Sequence, residues 1–162
     1  MSRTRFDSMN CGVAQALEQV GDWWSLLVVR DAFFGVSRFA QFEASLGISK
    51  NILSDRLHKL VEHGVLEKER LNEPGNRFEY RLTHKGRDLW LVLTAMRLWS
   101  DRWVFGDDRV PLIMRERDTG RRVAGLLAVD ENGEPIDPSK LEWIYGPDIP
   151  AEEPSSETWN PA

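Results

Sequence analysis

The chain has 162 residues, of which 41% are apolar and 29% charged, the balance of a soluble globular protein with room for one domain and an appendage. No apolar run approaches the roughly 20 residues that cross a bilayer. The N-terminal Met1-Ser2-Arg3-Thr4-Arg5-Phe6-Asp7 lacks the apolar centre of a signal peptide, so a cytoplasmic protein is expected.

The net charge of −5 is unevenly distributed. Residues 1–105 carry 15 Lys+Arg against 13 Asp+Glu, a net of +2, whereas residues 106–162 carry 6 against 13, a net of −7. A basic surface on the first part therefore stays compatible with phosphate binding. The single cysteine, Cys11, excludes an intrachain disulfide framework and a multi-cysteine zinc site.

In chain order, Val13 to Val20 places Val13, Ala16, Leu17 and Val20 on one side of a short helix that Gly21-Asp22 ends. Trp24 to Phe34 is apolar throughout and reads as a buried central helix. Ser37 is the expected cap of a third helix carrying Phe39, Phe42 and Leu46. Gly47 supplies a tight turn, and Ser49 is a good N-cap for the next helix. There Ile52, Leu53, Leu57, Leu60 and Val61 form the apolar stripe, with Gly64 at the left-handed stop. Two helices joined by about three residues, the second amphipathic, make a helix-turn-helix. The outer face of that second helix carries Asn51, Ser54, Asp55 and His58, flanked by Lys50, Arg56 and Lys59. Short hydrogen-bonding groups framed by cations suit a helix lying in the major groove of DNA.

Beyond Gly64 the pattern changes to alternation. Val65–Leu71 and Arg77–Leu82 read as half-exposed strands around the turn Asn72-Glu73-Pro74-Gly75-Asn76. This hairpin is the wing of a winged helix, with Arg77 and Arg81 expected on one strand face. Thr83 caps a helix expected to run unbroken to about Trp103. It is apolar on more than one side, so a second copy of the chain is its simplest partner. Residues 106–145 are expected to form a small β-rich extension and residues 146–162, rich in Pro, Glu and Ser, a disordered tail. The fold class is thus mainly α with a β-hairpin wing, on residues 1–105, followed by that extension.

Cys11-Gly12-Val13-Ala14 and Gly21-Asp22-Trp23-Trp24-Ser25-Leu26-Leu27 resemble the opening of the HxlR family of winged-helix regulators. Arg38-Phe39, Gly47-Ile48-Ser49, Leu53-Ser54-Asp55-Arg56-Leu57, Gly64-Val65-Leu66 and Tyr80-Arg81-Leu82-Thr83 extend the resemblance over residues 9–105. Gly12 stands where the family usually has Pro, and Trp23 where it often has Lys. The resemblance implies a homodimer that binds double-stranded DNA. On that basis Lys50, Asn51, Ser54, Asp55 and His58 face the groove, Arg56 and Lys59 lie beside it, and Arg77 and Arg81 are the wing contacts. Residues 117–120 and 129–135 are similar to the cysteine knuckles of a ribbon carried by some longer relatives, with every cysteine replaced. A metal-less ribbon would then rest on packing of Leu112, Ile113, Val123, Leu126, Leu127 and Trp143.

Two features admit two readings each. Cys11 is either a small core residue or a redox-sensing thiol, since helix N-termini favour thiolate chemistry. Trp23, Trp24, Trp90, Trp99 and Trp103 either line a pocket for a flat aromatic or electrophilic effector at the dimer seam or pack core and interface. His58, His63 and His84 lack ligand spacing, and no nucleophile–base cluster or phosphate loop stands out, so neither metal, cofactor nor enzymatic activity is expected. The reading is a dimeric transcriptional regulator, a repressor, on a pseudo-palindromic operator and released by a small-molecule or redox signal. Its rival is a winged-helix protein-interaction module without sequence-specific DNA binding.

Overall fold

A computed structural model describes residues 11–72, 77–106 and 109–141. The chain divides into two compact units, residues 1–125 and 126–162. In the first unit the order is α1 (Gly12–Val20), α2 (Trp23–Phe33), α3 (Phe39–Leu46), α4 (Lys50–Glu62), β1 (Leu66–Arg70), β2 (Phe78–Leu82), α5 (His84–Asp88) and α6 (Trp90–Ser100), followed by a π-type turn over Asp101–Phe105. This is a winged helix.

The apolar α2 is the hub, packing against α1, α3, α4 and β2. Its Val28 and Val29 are fully buried with Phe42 of α3, Leu53, Leu57 and Leu60 of α4, and Val65 and Leu66 at the entry to the wing. Burial of each such side chain stabilises the fold by about 1.5–3 kcal/mol. Asp22 caps α2 by accepting a hydrogen bond from the Trp24 amide at 3.0 Å. Ser37 does not cap α3. Arg38 takes the N-cap position, and the Gln41 side chain accepts from the Ser37 and Arg38 amides at 3.2 and 2.9 Å. The Gln41 amide thus reaches back to the amides of Ser37 and Arg38 at the entry to the helix.

The turn into α4 follows expectation. Gly47 sits at φ +63°, Ile48 is buried, and the Ser49 hydroxyl accepts from the Ile52 amide at 3.4 Å. At the other end Gly64 adopts φ +66°, with Gly64 N–H bonded to Val61 O at 3.0 Å and Val65 N–H to Leu60 O at 2.8 Å. That pair of bonds is the Schellman stop, and it aims the chain directly into β1.

The wing is antiparallel, with Leu66 opposite Leu82, Lys68 opposite Tyr80 and Arg70 opposite Phe78. Arg77 precedes β2 instead of lying within it. Thr83 then ties three elements together. Its hydroxyl accepts from the Gly86 amide at 3.0 Å and donates to the Gly64 carbonyl at 2.6 Å. The single long helix expected from Thr83 to Trp103 is broken at Leu89, whose amide bonds only three residues back, to Gly86 O at 3.3 Å. α5 docks closely at the base of the wing: a Cβ on Gly86 would stand 2.1 Å from the Val65 carbonyl oxygen.

From α6, Arg97 pairs with Asp101 and donates to the Val123 carbonyl beyond the π-type turn at 3.2 Å, while buried Thr94 faces Met114. The strands expected in the extension reduce, among the described residues, to single bridges, Arg115 with Arg122 in the first unit and Val129 with Pro135 in the second. The first turn is closed by Glu116, which accepts from Thr119 and from Arg121 at 2.9 Å. In the second, Asp130 accepts from the Asn132 and Glu134 amides at 2.8 and 2.9 Å. Those amides hold its carboxyl below the usual range. The apolar packing expected to hold this region is largely absent, since Leu112, Ile113, Leu126 and Leu127 are exposed and only Val123 is half-buried. Local polar turns take its place. Trp143 and the tail lie outside the described residues.

Candidate nucleic-acid interface

The interface is built on α4, about 20 Å long at 1.5 Å per residue. One side is locked into the core by Leu53, Leu57 and Leu60. The other presents Lys50, Asn51, Ser54, Asp55 and His58, all exposed. Asn51, Ser54, Asp55 and His58 recur at three- and four-residue spacing, so they form one row along the outer surface. Asparagine can both donate to and accept from an adenine edge, and serine and histidine add single contacts. Among the described residues Lys50 has no carboxylate within ion-pair distance.

The remaining cations of α4 are engaged within the chain. Lys59 Nζ donates to Asp55 Oδ2 at 3.0 Å, and this ammonium holds the Asp55 carboxyl below the usual range. Arg56 Nη1 donates to the same oxygen at 2.8 Å, while Arg56 Nε lies 2.8 Å from Asp22 Oδ1 at the start of α2. The Arg56 side chain is only 18% exposed. It was expected beside the groove, and within the chain it faces two carboxylates. Asp22 was read only as a helix breaker. Its position just before an apolar helix was the available signal of a cap.

On the wing, Glu69 and Glu79 face each other across the strands. Arg81 bridges them, donating to Glu79 Oε2 at 2.8 Å and standing 3.7 Å from Glu69 Oε2. The guanidinium holds the Glu79 carboxyl below the usual range. Lys68 lies 4.1 Å over the Phe78 ring. Arg77 is exposed at the tip side of β2.

The HxlR-like helix-turn-helix family model matches residues 19–108. The chain belongs to this family. An uncharacterized HTH-type transcriptional regulator of Mycobacterium tuberculosis is 36% identical over 152 residues, covering 94% of this chain and 95% of that protein. The crystal structure of PA1607, a candidate transcription factor, is 40% identical with a TM-score of 0.79, covering 88% of this chain and 100% of that one. The redox regulator HypR in its oxidized form is 26% identical with a TM-score of 0.53, covering 56% of this chain and 95% of that one. The protein is therefore a transcriptional regulator with a helix-turn-helix DNA-binding fold, in a family of regulators and not of enzymes.

In this HxlR-family chain Cys11 occupies the N-cap position of α1 and is exposed, so the buried reading of the thiol does not hold for the isolated chain. Arg3 and Arg5 lie outside the described residues. Of the five tryptophans, Trp24 packs on the core, while Trp23, Trp90, Trp99 and Trp103 are exposed by 85%, 43%, 62% and 69%. A cavity of about 540 Å³ lies between the end of α2, β2 and α5, lined by Phe33, Val36, Tyr80 and Arg87 among others and by none of these tryptophans. No helix among the described residues is long and apolar enough to cross a membrane.

Proposed function

We propose that the protein is a homodimeric repressor that reads a pseudo-palindromic operator through α4 and releases it on a small-molecule or redox signal. The observation that carries the DNA reading is the division of α4. Its core face is immobilised, and its outer row of Asn51, Ser54 and His58 is exposed beside Lys50. Groups so placed discriminate bases, at about 1–3 kcal/mol for a good bidentate contact. Arg77, exposed on the wing, supplies backbone affinity together with Arg81 and Lys59.

Dimerisation rests on an uncovered apolar surface. Val13 and Leu17 of α1, Trp90, Leu91, Met96 and Trp99 of α6, and Trp103 and Phe105 beyond it are all exposed in the single chain. A two-fold pairing would bury such surface and set two α4 helices about one helical turn of DNA apart. The signal reading rests on the exposed Cys11 thiol at a helix start and on a redox regulator among the relatives.

Asn51→Ala and Arg77→Ala test this together. Asn51→Ala should relax discrimination between the operator and a scrambled duplex. Arg77→Ala should weaken both duplexes alike and lower the salt slope by about one. If neither variant alters DNA binding, the winged helix is a protein-interaction module instead.

A further inference from the structure

We propose that Arg56 is a positioning residue that sets the orientation of α4 through Asp22, so that the corner between α1 and α2 belongs to the DNA-reading apparatus. The inference rests on the DNA reading given above. Along α4 and onto α2 the charged groups form a chain. Lys59 meets Asp55 at 3.0 Å, Asp55 meets Arg56 at 2.8 Å, and Arg56 meets Asp22 at 2.8 Å. Two cations and two anions sum to zero, so this chain adds little to the attraction for phosphate. A guanidinium that is 18% exposed and held by two carboxylates would have to break both pairs before reaching the DNA backbone.

What the chain can do is mechanical. Leu53, Leu57 and Leu60 hold one stripe of α4 against the core, and a contact on another side of the helix adds to that hold against rolling. The Arg56 guanidinium donates to Asp55 through Nη1 and pairs by charge with Asp22, its Nε 2.8 Å from Asp22 Oδ1 without a hydrogen bond, a second hold on α4 away from the apolar stripe. It joins the middle of α4 to a carboxylate that is itself fixed, because Asp22 Oδ1 also accepts the Trp24 amide. The corner is closely packed as well: a Cβ at Gly21 would lie 2.4 Å from the Leu17 carbonyl oxygen. A roll of α4 by a fraction of a turn would move Asn51 and Ser54 off the base edges while leaving the exposed cations near the backbone.

The experiment compares Asp22→Asn and Arg56→Lys, singly and together, on a duplex enriched by the wild-type protein from a randomised library and on a scrambled duplex, across a salt series. Asparagine keeps the cap of α2 and removes the charge, while lysine keeps the charge but loses the fork. We expect each single variant to lose roughly five- to thirtyfold in affinity for the enriched duplex. Affinity for the scrambled duplex and the salt slope should stay unchanged, and the double variant should be no worse than either single one. If Arg56 instead binds phosphate, Arg56→Lys stays near wild type, or Asp22→Asn tightens binding to both duplexes by removing an anion. Either result overturns the proposal. Should Arg56→Lys melt below the assay temperature, Asp22→Asn decides alone: a selective loss supports the proposal, and no change or a gain overturns it. A wild-type protein that enriches no sequence overturns the DNA reading, and this inference with it. Enrichment by the wild type with the opposite variant pattern overturns the inference alone.

Discussion

Ser54 and Asp55 are neighbours on the recognition helix, and the structure separates their work. Ser54 is exposed in the outer row, whereas Asp55 accepts from Lys59 and Arg56. The sequence grouped both as groove-facing because helical periodicity assigns a face to each residue and says nothing of which charges will pair. The ion pairs of Arg81 were illegible for the same reason. They depend on Glu69 and Glu79 being opposed across the wing, a register that periodicity alone leaves open. The pairing of Asp55 gives a titration that can be checked. Its folded pKa is depressed chiefly by Lys59, so its stabilising effect is complete above the ordinary carboxylate value of about 3.9 and is lost as the pH falls through the lower folded value. Lys59→Met should move the Asp55 carboxyl back up toward that ordinary value, as followed by NMR titration. An unchanged titration would remove Lys59 as the cause.

At the scale of elements, the local signals read well. Ser49, Gly64 and Thr83 occupy the capping and stop positions that their side chains or lack of one predict, because those choices are made within a few residues of chain. The break at Leu89 was illegible. The run from Thr83 to Trp103 contains no proline, and its apolar residues continue across the break. Equally illegible is a contact at long range, Gly86 seated on the Val65 carbonyl. Gly86→Ala should therefore cost about 1–3 kcal/mol, as overpacking does, lowering the urea midpoint without altering its slope. A melting curve indistinguishable from wild type would show that α5 can shift away from the wing at no cost. The extension was misread in a similar manner. Its apolar residues suggested packing, but its turns are closed by Glu116, Arg121 and Asp130.

For the molecule as a whole, the exposed apolar side chains of α1, α6 and the π-type turn are the feature most poorly suited to a single copy in water. Rings as exposed as Trp99 and Trp103 mark an interaction surface when they gather in one region. Trp99→Glu combined with Trp103→Glu should shift the protein from dimer to monomer in sedimentation velocity, with α-helical circular dichroism retained, and should weaken operator binding far more than binding to short random duplexes. Two-fold, sequence-specific recognition is the central proposal for this protein, and selection from a randomised duplex library tests it most directly. The expected outcome is an enriched inverted repeat whose half-site centres lie about one helical turn, or a multiple of one, apart, lost when Asn51 is replaced by alanine. A library that emerges without a consensus, or with a single unpaired half-site, would contradict it.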